Sequence, residues 1–227
     1  MIIRPILALT ALTLFAPLGA AAAGPVALDD FGVTCLETSL SDCKVLSAGY
    51  LNVDDMNDEA RTGSPLLAWQ TQAGVSVEAG TVGGVVLFQH ADDGWTSFGS
   101  GFEAYRYELP TLNEEGVLHV AGYSSGTGSF NADLLFQTTD DGGWQQIDMD
   151  TWLGNISDML PPGLAIWKGV RYDFANAWSG YTASTALWNE DDANCCATGG
   201  SAVITLEIVD NALVATKVDY TPPEKVK

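Results

Sequence analysis

Seven short apolar stretches set the class of fold open to this chain: residues 82–89, 117–122, 134–138, 164–174, 183–188, 202–209 and 213–218. Most are of strand length, and they lie between glycine, proline, asparagine or aspartate turn signals. That pattern reads as antiparallel β-structure. The last two are joined by Asp210-Asn211, a two-residue hairpin turn of residues that tolerate positive φ. An internal repeat adds to the pattern. Leu87-Phe88-Gln89 and Leu135-Phe136-Gln137 are 48 residues apart, and each leads through Asp-Asp-Gly to a tryptophan, Trp95 or Trp144, 49 apart. Each copy reads as strand, turn and second strand. Two copies are too few to close a propeller. The expected fold is mainly β: an antiparallel sandwich- or barrel-like domain with a duplicated hairpin unit and one short helix. For the helix, Asp150 is the expected cap. Trp152, Leu153, Ile156, Met159 and Leu160 form its apolar face, and Pro161-Pro162-Gly163 stops it.

Residues 1–23 read as an export signal. Arg4 supplies the positive start, residues 6–18 an apolar core, and Gly19 to Ala23 the small residues a signal peptidase needs. The apolar run falls short of the roughly 20 residues a spanning helix requires. Residues 24–227 are then expected to form one exported β-rich domain, periplasmic or extracellular, with a possible subdomain seam near 110–115. Export makes the four cysteines candidates for disulfides, and four allow three complete pairings. Cys35 and Cys43 are easily closed around a small loop. Joining them to Cys195 and Cys196 would need two sulfurs from neighbouring residues, which point to opposite faces of an extended chain. The expected bridges are therefore Cys35–Cys43 and a vicinal Cys195–Cys196, the latter locking a turn.

The formal charge is −20. No basic cluster exists to meet phosphate, so nucleic acid and anionic membrane surfaces are poor partners. A cationic protein, a carbohydrate or calcium is more compatible. Calcium ligands could come from Asp54 to Glu59 or from Glu190, Asp191, Asp192 and Asn194, although neither segment has EF-hand spacing. No other cofactor is indicated. Two histidines, His90 and His119, make a zinc site improbable. His119 is expected inside a strand and His90 at the surface.

Gly122-Tyr123-Ser124-Ser125-Gly126 matches the Gly-x-Ser-x-Gly elbow of serine hydrolases, but no helix start follows it and no histidine comes after the serine. It reads instead as a glycine-rich β-loop. Asp133, Asp140, Asp141, Asp173, Asp191 and Asp192 could supply the carboxylate pair of a glycosidase, though only abundance recommends them. Trp95 and Trp144 suit hairpin packing.

Gly126-Thr127-Gly128 with Asn131-Ala132-Asp133, then Leu160-Pro161 with Gly163, then Leu187-Trp188 leading to Asp192-Ala193-Asn194-Cys195-Cys196 and Thr198-Gly199-Gly200, resemble a group of uncharacterised exported bacterial proteins. The likeness covers roughly residues 115–220. Ala197 stands where a proline commonly follows the cysteine pair in that group. The resemblance implies export and a shared domain, and brings no activity, cofactor or catalytic residue.

The function expected from the sequence is an exported soluble binding or interaction protein, in preference to an enzyme. Its candidate surface combines the loop 122–133 with the loop 190–200, offering Asn131, Asp133, Asp191, Asp192 and Asn194 to a ligand. The alternatives are a secreted hydrolase acting on carbohydrate and an acidic partner or inhibitor of a cationic envelope protein.

Overall fold

A computed structural model describes residues 30–51, 66–78, 80–91, 94–124, 130–175 and 180–224. The expected export signal, residues 1–23, and the acidic stretch 54–61 lie outside the described residues. The chain is mainly antiparallel β-sheet. The first sheet runs in sequence order through β1 (Ser41–Leu51), β2 (Leu67–Ser76), β3 (Gly80–Ala91) and β4 (Gly94–Gly101). Next come β5 (Arg106–Tyr107), β6 (Thr111–Leu112), β7 (Val117–Val120), β8 (Gly122–Tyr123), β9 (Leu134–Thr138) and β10 (Trp144–Gln146). Of these, β10-β9-β7-β6 form a second sheet, and β5 pairs with β8. After helix α1 (Thr151–Asn155) follow β11 (Leu164–Ala165), β12 (Arg171–Asp173), β13 (Tyr181–Ala186), β14 (Trp188–Asn189), β15 (Ser201–Val209) and β16 (Ala212–Thr221). A third sheet has the order β12-β13-β15-β16, and β11 pairs with β14. The sheets stack, and none closes into a barrel.

The second sheet is the middle layer, because successive side chains on a strand point to opposite faces. Leu118, Val120 and Phe136 pack with Leu67, Trp69, Val85 and Leu87 of the first sheet. Val117 and Leu135 pack the other way, against Trp152, Ala183, Ile204, Leu206 and Leu213. The segment 110–115 thus leads into a sheet shared by two cores. Close approach of the first sheet requires Gly99, where a Cβ would overlap the Phe136 ring. Among the described residues, no helix is long and apolar enough to cross a membrane.

The closing hairpin and both copies of the repeated hairpin form. The Asp210-Asn211 turn has φ of 50° and 62°, and β15 and β16 pair from Val209↔Ala212 outward. In the repeat, His90 lies opposite Trp95 and Thr138 opposite Trp144. These are equivalent positions of the two copies. The extra residue of the second copy is absorbed in its turn, where Thr139 N–H donates to Gly143 O and Gly142 N–H to Thr139 O.

Three expectations need correction. The helix is a single α turn followed by a 3₁₀ turn at Ile156–Asp158, and its buried stripe is Trp152, Ile156 and Leu160. Leu153 and Met159 are exposed. Asp150 stands at the cap position without a side-chain capping bond. Asp148 does that work: its carboxylate accepts from Asp150 N (2.7 Å), Thr151 N (3.1 Å) and Thr151 Oγ1 (2.8 Å). The stretch 164–174 is not one strand. It breaks between β11 and β12, which pair with different strands, and Asn131 bonds both backbone groups of Val170 just before β12 begins.

The strands β1 and β2 were not evident as apolar runs. β2 is central and buried, yet carries Gln70, Thr71 and Gln72 inside. The two glutamines clamp the N-terminal loop. Gln70 Nε2 donates to Phe31 O (2.6 Å) and Thr34 O (2.9 Å), while its Oε1 accepts from Leu36 N (2.9 Å). Gln72 Nε2 donates to Leu36 O (2.8 Å) and Gln70 Oε1 (2.7 Å). The Cys35–Cys43 disulfide, with Cα atoms 6.2 Å apart, ties the same loop to β1.

Candidate functional site

The two loops singled out from the sequence fold in different ways. In the first, Tyr123 bridges Asn131, Ser124 N–H donates to Phe130 O and Ala132 N–H to Gly122 O. The strands around residues 125–129, which lie outside the described residues, are therefore hairpin-like, and no helix follows Ser124 at Phe130–Leu134. The Ser124 hydroxyl is buried without a hydrogen-bond partner among the described residues. Asn131 and Asp133 come together. Asn131 Nδ2 donates to Asp133 Oδ2 (2.9 Å) and Val170 O (2.9 Å), and its Oδ1 accepts from Val170 N (2.7 Å). Asp133 Oδ1 lies 2.7 Å from His119 Nε2. This pair is nearly dry, with side chains 4% and 13% exposed, and the imidazole packs edge-on against Phe174. A buried carboxylate needs such partners. His119 is the hydrogen-bonded interior residue expected of it, and His90 is exposed beside Trp95.

In the second loop, Asp192 is the fastener. Its carboxylate accepts from Asn189 N (2.8 Å), Thr198 N (2.8 Å) and Thr198 Oγ1 (2.5 Å). The Thr198 bonds, foremost among these, hold its pKa below the usual carboxylate range. Cys195 and Cys196 sit in the turn so closed, Cα atoms 3.8 Å apart and sulfurs within bonding reach. Cys196 N–H donates to Ala193 O. Both oxygens of Asp192 are thus engaged by the protein itself. Among the described residues, no three acidic, histidine or cysteine side chains gather closely enough to hold a metal ion. That covers Glu190, Asp191 and Asp192; the other calcium candidate, Asp54 to Glu59, lies outside the described residues.

A concavity among the described residues joins the first loop to residues that the sequence did not single out for a site. It is a cleft of about 720 Å³ walled by Gly101–Glu103, Phe130–Leu134, Gln146–Asp150 and Lys168–Val170, with Tyr107 and Tyr172 also lining it. Asn131 and Asp133 lie on this lining, whereas none of Glu190–Gly200 does. Small-molecule sites have volumes of roughly 300–1,000 Å³. Burial, before any other cause, pushes the Tyr107 phenol pKa up, with Glu103 and Asp133 adding to the rise. Tyr172 is driven further up, again mainly by burial, with Asp133 and Asp150 adding to it. Both therefore remain protonated donors at neutral pH. Each already accepts one bond: Tyr107 from Glu103 N (3.4 Å) and Tyr172 from Trp152 Nε1 (3.1 Å). The Tyr107 hydroxyl reaches the lining because residue 101 is glycine; a Cβ there would stand 2.5 Å from it.

The acidic groups of the cleft differ in their commitments. Asp148 is engaged by the start of α1, and the bonds from Asp150 and Thr151 depress its pKa. Asp133 is engaged by His119 and Asn131. Glu103 and Asp150 are exposed. The Asp-x-Asp-Thr run ahead of the helix carried a signal for the Asp148 cap. Nothing in sequence spacing links Tyr107 to Tyr172, since only the stacking of sheets brings them to one hollow.

A smaller hollow of about 250 Å³ shares Tyr172 and is lined by His119, Asn113 and Phe174. The His119–Asp133 bond therefore spans from one concavity to the other. Comparison of the chain with family models, with curated proteins and with solved structures finds no match.

Proposed function

We propose that this chain is an exported binding protein that takes a small polar ligand into the cleft between its middle sheet and the α1 region. The observation that carries the reading is the cleft itself. It has the volume of a small-molecule site, and two protonated phenols lie on its lining with their O–H groups uncommitted among the described residues. The His119–Asp133–Asn131–Val170 chain of hydrogen bonds supports it by fixing one wall in advance. A preformed wall loses less freedom when a ligand arrives. Export is supported by the leader-like residues 1–23.

A thermal-shift screen of small polar compounds tests the proposal, because a ligand that binds only the native state raises its melting temperature by mass action. Leu153 is exposed on the cleft lining, so Leu153→Trp places a bulky ring in the cleft without disturbing a core. The expected result is a compound that stabilises the wild type and leaves the melting temperature of L153W unchanged. Equal stabilisation of both proteins by every active compound overturns the cleft as the binding site.

A further inference from the structure

The cleft presents donors on its floor and acceptors on its rim, and that division selects among ligand chemistries; the inference rests on the binding role just proposed. On the floor, Tyr107 and Tyr172 each accept a protein N–H, so what each phenol can add for a ligand is its O–H as a donor. Asp133, on the same lining, is held by His119 and Asn131. On the rim, Glu103 and Asp150 are exposed carboxylates, which only accept. Lys168 is the single basic residue among the described lining residues. Phe130, 55% exposed, offers an apolar ring at the edge.

A ligand that satisfies the floor carries oxygen acceptors. One that satisfies the rim carries O–H or N–H donors. Covering Phe130 requires an apolar face as well. An amine alone fails at the floor, and a carboxylate meets Glu103, Asp133, Asp148 and Asp150 against the one lining cation, Lys168, so it is repelled on balance. Ring hydroxyls both donate and accept, and the C–H face of a sugar ring suits the face of an aromatic ring. We infer that the cleft binds a neutral or cationic saccharide and discriminates against acidic sugars. An ammonium substituent strengthens binding through the field of the rim carboxylates.

Amide NMR titrations of the full chain with glucosamine, glucose, glucuronate and cyclohexylamine test this. The expected shifts centre on Tyr107, Asp133 and Tyr172. Glucosamine binds tightest and glucose less tightly. Glucuronate is weaker than glucose by about tenfold, and cyclohexylamine, which has the ammonium but no hydroxyls, does not bind. Tyr172→Phe weakens glucosamine by about three- to tenfold, the loss of one hydrogen bond. That variant leaves Trp152 Nε1 without its partner, so Asp150→Asn on the exposed rim provides an independent check: it narrows the preference for glucosamine over glucose. Cyclohexylamine matching glucosamine, or glucuronate matching glucose, overturns the inference. Cleft shifts with other fragments but with none of the sugars overturn the saccharide assignment and leave the cleft a binding site. Sugar-induced shifts confined to another surface overturn the cleft reading itself, and the absence of shifts with sugars and fragments alike overturns both.

Discussion

The two copies of the repeated hairpin keep the same register, yet they are supported in different ways. In β3–β4, Phe88 and Trp95 hold Phe31 between them, at ring centroid distances of 4.8 and 5.4 Å. In β9–β10, Phe136 and Trp144 hold Phe98, at 5.6 and 5.1 Å. The third ring of the first triad comes from the N-terminal loop. The third ring of the second comes from the first hairpin itself. Leu87 pairs with Gly99 and Phe88 with Ser97, so Phe98 is the extra residue of a β-bulge, which presents it to the neighbouring sheet. Gln89 Nε2 reaches Gly142 O in the turn of the second copy (3.0 Å). A duplicated sequence unit thus does not make two equivalent structural units. The first copy leans on a clamped loop, and the second leans on the first.

The largest expected effect distinguishes the two third rings. Phe31 is 3% exposed whereas Phe98 is only half-buried. Phe31→Ala should cost about 3–5 kcal/mol, as buried phenylalanine truncations do. Phe98→Ala should cost about half as much, because part of the ring surface is already wet. Urea denaturation of the two variants measures this. Double-mutant cycles with Trp95 and Trp144 should each give about 0.5–1.5 kcal/mol of ring coupling. Equal costs for Phe31→Ala and Phe98→Ala would show that burial does not set the difference between the copies.

A smaller effect comes from the clamp beneath the first triad. Gln70→Leu keeps the bulk of the side chain but strands the carbonyl of buried Phe31 and one N–H of buried Gln72. Thr34 is exposed and Leu36 half-buried, so their backbone groups can turn to water. A stranded buried carbonyl, with a Gln72 N–H that keeps only its bond to Leu36 O, predicts a loss of roughly 1–3 kcal/mol. The loss should be accompanied by faster amide exchange around Phe31–Leu36 and unchanged exchange in β9–β10. Exchange that accelerates equally in both hairpins would mean that the second copy depends on the N-terminal loop as much as the first does.

The same residues explain what could be read before the fold was known. The hairpins were legible because their apolar residues face cores and their turns carry Gly, Asp and Asn. β1 and β2 were not, because Gln70 and Gln72 place polar groups on a buried face, where only their capture of a distant loop makes them acceptable. The bonds at Val170 were hidden for a related reason: Asn131, 39 residues away, takes its backbone groups just before β12 begins. Asn131 and Asp133 were legible as polar residues in a permissive loop. Their commitment to Val170 and His119 was not, and neither was the cleft, whose lining comes from segments far apart in the chain. The vicinal cysteines drew attention to the 190–200 turn, but the bonds from Asp192 to Thr198 and Asn189 span that turn and were not foreseen.

The smallest expected effect lies in the turn of the second hairpin. Asp141 accepts from the Thr139 hydroxyl and more weakly from Gly143 N–H, and the Thr139 bond above all depresses its pKa. A depressed folded-state pKa means that the folded chain binds this proton less readily than the unfolded chain. The stabilisation is therefore fully present above the unfolded carboxylate value of about 4 and disappears as pH falls through the lower folded value. Asp148 and Asp192 are depressed in the same direction, so the whole protein loses stability in acid. Asp141→Asn isolates the contribution of the turn. At neutral pH the wild type should melt above D141N, and the gap should close as pH drops below the carboxylate range, because protonated aspartate and asparagine are then both neutral. Melting temperatures of the two proteins from pH 7 to pH 2.5 measure the gap. A gap independent of pH would assign the role of Asp141 to turn shape alone, and the turn of the second copy would then be held by its backbone bonds and the positive φ of Gly142 rather than by charge.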